Sequence, residues 1–574
     1  KRKIIIVFGC GGNRDKRKRF KMGKIASKYC RKIFVTDDNP RNENPKIIRD
    51  SIIKGCKKLA VNVGDRKKAI KSALKELAQN EILLIAGKGH EEMQDFGKKI
   101  IEFSDKKIIK QITIKKNHFK NLPDRNNLNN INYNGVSINS KTIKKNNLFF
   151  AIKGKNTDGH NFINEALQKG AVRCVVDRNK SHISKNKFIK VKNTFSSLND
   201  LARITRESTF AQIIGITGSV GKTTLKNLVG FALKNYGNVY YSPHSYNNKF
   251  GVPFSISNLN RNTEYGVFEI GMDKKGEINK LSKIVKPEIA VITNISGAHF
   301  KNFNSLKDIA KAKGEIINNI SKGGSLVLNR DDKFFDFLSN RAKKTGVNII
   351  SFGLNKKANV FLSGIKRIKN YYRLKVVIEK RNFYFDIKYS TNNFVNNILG
   401  CISVLFALNL DLNKIKKKFI NFNIPGGRGD IKIVKKFNKR FKFIDESYNA
   451  NPLSMSSAIQ NMNYYKIKNN SKKIVLLGDM LELGAKAKKF HKKLSYEINK
   501  SDIDKVFVYG KHIKETFNLL TKNKKGKVFN NLREAYNHFG KIIHNNDLLM
   551  IKGSNATGLN QLSKNIKKEQ TNAL

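Results

Sequence analysis

Tryptophan is absent from this chain, and proline occurs 8 times and cysteine 5 times in 574 residues. Five scattered thiols, odd in number and without C-x-x-C spacing, argue against a disulfide framework and against a structural zinc site. A reducing, cytoplasmic compartment is expected. Acid is scarce as well: 44 Asp and Glu stand against 113 Lys and Arg, a formal net charge of +69. Such an excess suits nucleic-acid binding. The lysines, however, are spread along the whole chain rather than gathered in a stripe with aromatic platforms. Abundant Lys, Asn, Ile, Phe and Tyr with no Trp and little Pro is the drift an A+T-rich genome produces. No specific nucleic-acid partner is therefore expected, although a basic surface also attracts anionic substrates. No run approaches the roughly 20 apolar residues of a membrane span, and no signal peptide is visible. The chain opens on Lys rather than Met, so a fragment or a processed chain is expected. The 39% hydrophobic residues suffice for ordinary cores, and the length predicts roughly three to five domains.

The most informative stretch runs from Ile213 to Thr224. An apolar run, Gln212 to Ile216, predicts a buried strand. A turn, Gly218-Ser219-Val220-Gly221, leads to Lys222-Thr223-Thr224 and to apolar residues at helical spacing up to Leu233. Strand, glycine-rich turn, Lys-Thr and helix form a phosphate-binding loop of variant spelling, T-G-x-x-G-K-T-T. Glycines let backbone N–H groups approach a polyphosphate, and the helix N-terminus adds partial positive charge. Lys222 bridges terminal phosphates in such loops, and the Thr223 hydroxyl ligates magnesium. A glycine-rich turn that binds nothing is the bland alternative. Tyr265 to Met272 predicts a further strand ending in Glu269, a carboxylate suited to magnesium beside a phosphate loop.

Two other regions repeat one theme, polar clusters placed directly after apolar strands. In an open parallel sheet those strand ends line the ligand crevice. Within residues 1–114 the clusters are Gly9 to Asp15, Asp37 to Arg41 and Gly87 to Glu91. Arg14 and Arg41 are candidate carboxylate holders and Glu91 a candidate ammonium holder; helix caps or surface ion pairs are the alternative. Residues 115–130 are polar and contain Pro123, and are expected to be a linker. Residues 131–205 form a small α/β unit containing Ser140. Residues 206–424 form the nucleotide domain. In 425–574 the clusters are Pro425 to Gly429, Asp445 to Pro452, Gly478 to Gly484 and Gly553 to Ala556.

In order and spelling these motifs resemble the Mur ligase family over nearly the whole chain. F-G-C-G-G-N-R-D, D-N-P-R (Asp38, Asn39, Pro40, Arg41) and G-K-G-H-E (Gly87 to Glu91) resemble the C-terminal domain of the branch that adds meso-diaminopimelate. That resemblance implies an amino-acid site at Arg14, Asp38, Asn39, Pro40, Arg41, Gly87 and Glu91, without a phosphate loop of its own. From residue 131 onward, D-x-S-Y-N-A-N-P and G-D-M-x-E-L-G resemble the D-alanyl-D-alanine-adding branch. The resemblance implies a multidomain α/β fold, with Rossmann-like C-terminal domains and a central phosphate-loop ATP domain. It further implies ATP and two Mg2+ as cofactors, with UDP-MurNAc-tripeptide and D-alanyl-D-alanine as substrates. ATP contacts are implied at Gly218 to Thr224, Asn294, Asn329, Asp331 and Asn396. Magnesium ligands are implied at Thr223, Glu269, His299 and a carbamylated Lys313. Catalytic roles fall to Lys222, His299 and Lys313, and substrate contacts to Ser140, Arg428, Asp445, Tyr448, Asn449 and Asn451. A basic ATPase acting on nucleic acid and a non-catalytic scaffold are the competing readings. The intact Lys222, Thr223, Glu269 and Lys313 weigh against the scaffold.

Overall fold

The computed structural model describes residues 4–56, 60–78, 81–89, 91–97, 99–106, 108–109, 133–154, 156–178, 184–260, 262–297 and 300–568. The linker expected at 115–130 lies outside them. The chain divides into two compact units, Lys1–Ala211 with Ile256–Thr263, and Gln212–Ser255 with Glu264–Leu574.

The first unit opens with strands β1 (Ile4–Phe8), β2 (Lys32–Val35), β3 (Ala60–Asn62) and β4 (Ile82–Ile85), all parallel, in the order β3-β2-β1-β4. Helices α1 (Arg17–Tyr29), α2 (Pro45–Ile53) and α3 (Arg66–Glu76) make the crossovers. Successive side chains of a strand point to opposite faces. Thus Ile5 and Val7 meet Ala69, Ile70 and Ala73 of α3, while Phe8 meets Ala26, Ile48 and Ile52 on the other side. Buried Arg66 is held by both carboxylate oxygens of Asp105, at 2.9 and 2.7 Å, the pairing a buried charge requires. A hairpin of β5 (Met93–Asp95) and β6 (Ile100–Glu102) follows. A second parallel sheet contains β7 (Gly135–Ser137), β8 (Asn147–Phe150), β9 (Ala171–Val176) and β10 (Phe188–Lys190). The Asn258 side chain extends the β7 ladder, accepting from Val136 N at 3.0 Å and donating to Val136 O at 3.1 Å.

The second unit carries two sheets. The larger has nine strands: β11 (Gln212–Thr217), β12 (Val239–Tyr241), β13 (Tyr265–Glu269), β14 (Ile289–Ile292), β15 (Ser325–Asn329), β16 (Asn348–Gly353), β17 (Val360–Ile368), β18 (Tyr371–Ile378) and β19 (Arg381–Ile387). Their order is β12-β13-β11-β14-β15-β16-β17-β18-β19, parallel except for the antiparallel β17–β18–β19 meander. Helices α4 (Lys222–Leu233) and α6 (Asn392–Ala407) share one core with β11, β13 and β14; a shorter helix, α5 (Leu306–Lys313), precedes β15. The predicted strand and helix around the phosphate loop are present, the helix beginning at Lys222 itself.

The second sheet contains β20 (Asp430–Lys436), β21 (Lys439–Glu446), β22 (Lys473–Gly478), β23 (Lys505–Tyr509), β24 (Lys525–Phe529) and β25 (Leu548–Lys552). They lie in the order β20-β21-β25-β22-β23-β24, with only β20 antiparallel to its neighbour. Helices α7 (Pro452–Tyr464) and α8 (Ala487–Lys500) cover one face, and α9 (Leu532–Ile542) and α10 (Leu559–Lys567) the other. The α/β class, with parallel sheets and polar clusters after strand ends, is as expected.

Candidate active site

The turn from β11 to α4 needs glycine twice. Gly218 has φ +143°, and a Cβ there would lie 1.9 Å from Thr293 Oγ1. Gly221 has φ +87°, and its Cβ would lie 2.8 Å from Asn397 Oδ1. The turn is latched to the segment after β14. Ser219 N donates to Asn294 O at 2.9 Å, Val220 N to Asn294 Oδ1 at 3.0 Å, and Thr293 Oγ1 to Val220 O at 2.6 Å. Ser219 Oγ donates to Ser296 O at 3.1 Å and accepts from Ser296 N at 2.9 Å. These bonds hold the loop's shape from within the protein, which lowers the ordering cost of binding a ligand.

Two lysines converge on one carbonyl. Lys222 Nζ and Lys313 Nζ donate to Gly218 O at 2.8 and 3.0 Å. Lys313 comes from the last turn of α5 and is buried. Burial, reinforced by the neighbouring Lys222 charge, holds its pKa well below the usual lysine value. Burial also lowers Lys222, with Arg428 acting in the same direction and Glu269 opposing. A lysine so placed gives up its proton more readily than an exposed one.

Glu269 ends β13, the strand beside β11, and is 1% exposed. Its Oε2 accepts from Thr223 Oγ1 at 2.6 Å and its Oε1 from Asn247 Nδ2 at 2.7 Å. A hydroxyl and a carboxylate side by side at the foot of a phosphate loop are the oxygen donors magnesium takes. Among the described residues no group of three His, Cys, Asp or Glu gathers in one place. His299 lies outside the described residues.

Facing the loop is the rim of the second sheet. Arg428 NH2 donates to Ser245 Oγ at 3.0 Å, and Ser245 Oγ lies 3.3 Å from Thr223 Oγ1. The Arg428 guanidinium sits over the Tyr448 ring, 4.2 Å from its centroid. Lys552, at the end of β25, donates to Glu446 Oε2 at 3.0 Å and Asn449 O at 3.2 Å. Loop and rim enclose a cavity of about 170 Å3, whose lining includes Lys222, Thr223, Glu269, Arg428, Tyr448 and Asn449. Asn451 also lines it and caps α7, exchanging bonds with Ser454 in a capping box. Asp445 is occupied otherwise: its carboxylate accepts from Ser447 Oγ at 2.6 Å and from Lys567 Nζ.

The remaining predicted residues divide. Asn294 shapes the loop, as above. Asn329 Oδ1 accepts from Asp331 N at 2.9 Å, and the Asp331 carboxylate accepts from Leu354 N and Asn355 N at 2.6 and 2.9 Å. This pair therefore orders the end of β15 against the end of β16. On α6 it is Asn397, not Asn396, that lines the cavity; Asn396 Oδ1 is buried without a hydrogen-bond partner. Ser140 Oγ donates to Glu165 Oε2 at 2.8 Å. Sequence reasoning missed Lys226, one helical turn beyond Lys222. It is buried, donates to Ser242 O at 2.6 Å and to His244 O, and burial pushes its pKa down to about 8. Its i, i+4 spacing from Lys222 was the only available signal.

In the first unit the predicted amino-acid residues do gather. Arg14 and Arg41 flank Gly11, a Cβ there lying 3.8 Å from Arg14 Cδ and 3.4 Å from Arg41 NH1. Arg41 has φ +53° and donates to Gly12 O at 2.6 Å. Asn39 donates to Glu91 Oε2 at 2.8 Å and accepts from Lys88 Nζ at 3.0 Å. Gly87, with φ +114°, passes so close to Asp38 that a Cβ would lie 2.3 Å from its Oδ2. Pro40 continues this turn.

Comparison with known proteins agrees with this anatomy. The chain matches the Mur ligase family, catalytic domain, over residues 132–205 and the Mur ligase middle domain over 216–405. It matches the Mur ligase, glutamate ligase domain twice, over 1–89 and 431–555. The UDP-N-acetylmuramoyl-tripeptide--D-alanyl-D-alanine ligase of Rickettsia prowazekii is 34% identical over 435 residues, 76% of this chain and 95% of that protein. The ligase of that name from Bacillus subtilis is 31% identical, over 66% of this chain and 80% of its own length. Among solved structures, MurF from Acinetobacter baumannii is 25% identical with a TM-score of 0.66, covering 80% of this chain and 98% of that one. MurF ligase from Thermotoga maritima in complex with ADP is 25% identical with a TM-score of 0.62, covering 76% and 97%.

Proposed function

The chain belongs to the Mur ligase family, and from that premise we propose that it joins D-alanyl-D-alanine to UDP-MurNAc-tripeptide at the expense of ATP. One observation carries the reading: a preshaped phosphate loop with its Thr223–Glu269 oxygen pair shares a cavity with Arg428, Tyr448 and Asn449. The names of the relatives supply the substrates, and the ADP complex of a structural neighbour supplies the nucleotide.

A carboxylate is a poor electrophile. In the first step an oxygen of the tripeptide's terminal carboxylate attacks the γ-phosphorus of ATP, and the bond to the β-phosphate oxygen breaks. ADP leaves and an acyl phosphate remains. In the second step the dipeptide amine attacks the acyl carbon, phosphate departs with the C–O electron pair, and the amine loses a proton. Such chemistry asks the protein for position and charge more than for covalent help. Gly221 and the start of α4 hold the β- and γ-phosphates through backbone N–H groups, while the Ser219 and Val220 amides stay on Asn294. Lys222 neutralises charge that develops during transfer. Arg428, stacked on Tyr448, presents a fixed cation from the opposite wall. Thr223 and Glu269 would hold magnesium, which when bound spreads the phosphate charge. Lys313, buried and with a lowered pKa, fits the amine that carbon dioxide converts to a carbamate, and the product would give a second ion its ligand.

For residues 1–114 we retain diaminopimelate-type specificity as a proposal. Its support is the approach of the Arg14 and Arg41 side chains to Gly11 and the Asn39–Glu91–Lys88 cluster. The test of the main reading is phosphate release from ATP with magnesium, bicarbonate, UDP-MurNAc-tripeptide and D-alanyl-D-alanine. Release is expected only with both substrates, and not from Lys222→Ala. Release that ignores the dipeptide, or that survives Lys222→Ala, refutes it.

A further inference from the structure

Lys226 is fully buried beside the site and takes no part in the steps above. A buried ammonium is costly unless its hydrogens are used. Here it donates to Ser242 O at 2.6 Å and to His244 O. Both carbonyls belong to residues 242–247, an irregular strap between β12 and the helix Gly251–Ser257. The strap holds itself weakly. Pro243 has no N–H to give. His244 stands at φ +45° with its side chain exposed, a left-handed conformation that costs a residue bearing a Cβ. Within the strap, Tyr246 N bonds Pro243 O at 3.2 Å and Asn247 N bonds Ser245 O at 2.8 Å, both short turns.

Three strap side chains nevertheless reach the phosphate-loop machinery. Ser242 Oγ accepts from Glu269 N at 3.3 Å, and Asn247 Nδ2 donates to Glu269 Oε1 at 2.7 Å. Ser245 Oγ lies 3.3 Å from Thr223 Oγ1 and accepts from Arg428 NH2 at 3.0 Å. Arg428 is 183 residues further along the chain, so Ser245 joins a distant turn to the start of α4. His244 O belongs to the planar peptide unit that leads into Ser245. Gripping that oxygen orients the plane from which Ser245 departs. Lys226 grips it from a fixed place. Residues three and four apart share one face of a helix, so Lys226 projects from α4 beside Thr223 and Lys222. One rigid element thereby carries the loop lysine, the loop threonine and the anchor of the strap.

We propose that Lys226 is a positioning residue for phosphoryl transfer: its ammonium clamps Ser242 O and His244 O, and so holds Ser245 where it seats Arg428 beside Thr223. The use made of Arg428 rests on the ligase reading above, while the clamp itself is a property of the fold. Such a clamp acts on rate rather than on nucleotide affinity. The phosphate loop keeps its own latches to Thr293, Asn294 and Ser296, so ATP still binds without the clamp. The cation on the opposite wall loses its seat, and a small misplacement of a charge-stabilising group lowers turnover.

Lys226→Met keeps the bulk and removes both donors. Hydrogen exchange at the amides of Tyr246 and Asn247 should then run at least about tenfold faster than in the parent, with residues 228–233 of α4 unchanged. With both substrates present, kcat should fall at least about tenfold while KM for ATP stays within about threefold. Adding Ser245→Ala to Lys226→Met should cost less than about twofold more, because both cut one link, whereas independent residues multiply their losses. Lys226→Gln retains a donor and should fall between the parent and Lys226→Met on both readouts; it also stands in for Lys226→Met if that variant does not fold. Unchanged exchange at Tyr246 and Asn247 overturns the proposal, as does a kcat within about twofold of the parent or a multiplied loss in the double variant. A lysine that only fills space would lower the melting temperature and leave both readouts of the folded enzyme in place, which overturns it too. A parent chain without turnover refutes the ligase reading instead, and the exchange readout then decides the clamp alone.

Discussion

Lys313→Met separates the chemical role of the buried lysine from its structural one. The side chain is 1% exposed, and among the described residues it hydrogen-bonds Gly218 O at 3.0 Å. That carbonyl also accepts from Lys222 Nζ at 2.8 Å, so the substitution leaves no orphaned acceptor. The direct loss is one hydrogen bond, about 1 kcal/mol, and Met fills nearly the same volume. Linkage works the other way. The folded-state pKa of Lys313 is lowered, so below the ordinary lysine value the unfolded chain binds a proton that the folded chain refuses. Stability therefore falls as pH drops from the ordinary value toward the lowered one, and Met removes that loss. Near pH 7 the variant should melt within about 3 °C of the parent, or higher. Phosphate release in the presence of both substrates should fall by about 100-fold or more, the usual effect of deleting one charge-stabilising group from a dry site. Lys313→Ala should regain part of the rate with millimolar acetate, a free carboxylate in place of a carbamate. A Lys313→Met enzyme within twofold of the parent would sink the assignment. So would a large loss of stability, which would recast Lys313 as a packing residue.

Arg428→Lys keeps the charge but loses the planar cation over Tyr448 and the bond to Ser245; kcat/KM should drop at least about tenfold, measured by coupled ADP release. Gly221→Ala meets both a positive φ and Asn397 Oδ1 at 2.8 Å. ATP affinity should fall by at least about tenfold, and adding Asn397→Ala should recover only the steric part, as titration calorimetry can show. Buried His491 accepts from Met480 N at 3.0 Å, and burial lowers its pKa below the usual 6.5. Its contribution is full above pH 6.5 and is lost as pH falls from there through the lowered value. Melting curves from pH 5 to 8 should show that acid loss in the parent and a flatter profile in His491→Asn; equal slopes would remove the assignment.

The phosphate loop was legible because its chemistry fixes residue type and spacing over a dozen neighbouring positions. What holds the loop was not legible. Thr293, Asn294 and Ser296 reach it from more than 70 residues away, and nothing local in a strand-to-loop segment announces such a latch. The β17–β18–β19 meander escaped for another reason. Its turns put Lys369, Glu379 and Lys380 at positive φ, where Asn-Gly or Gly is the usual signal, so the sequence carries no punctuation between those strands. Asn397 lines the cavity beside Asn396, and the sequence could not separate the two, because a motif fixes a neighbourhood while one residue of helical rotation, about 100°, decides which side chain meets the cavity. The first copy of the ligase domain makes the complementary point. Its strand-end motifs lie near one another, with the Arg14 and Arg41 side chains both beside Gly11. Yet the exposure of Ile82 and Leu84, 62% and 47%, is invisible in Ile-Leu-Leu-Ile, a run that reads as a buried strand. Burial belongs to what packs against a strand as much as to the residues themselves.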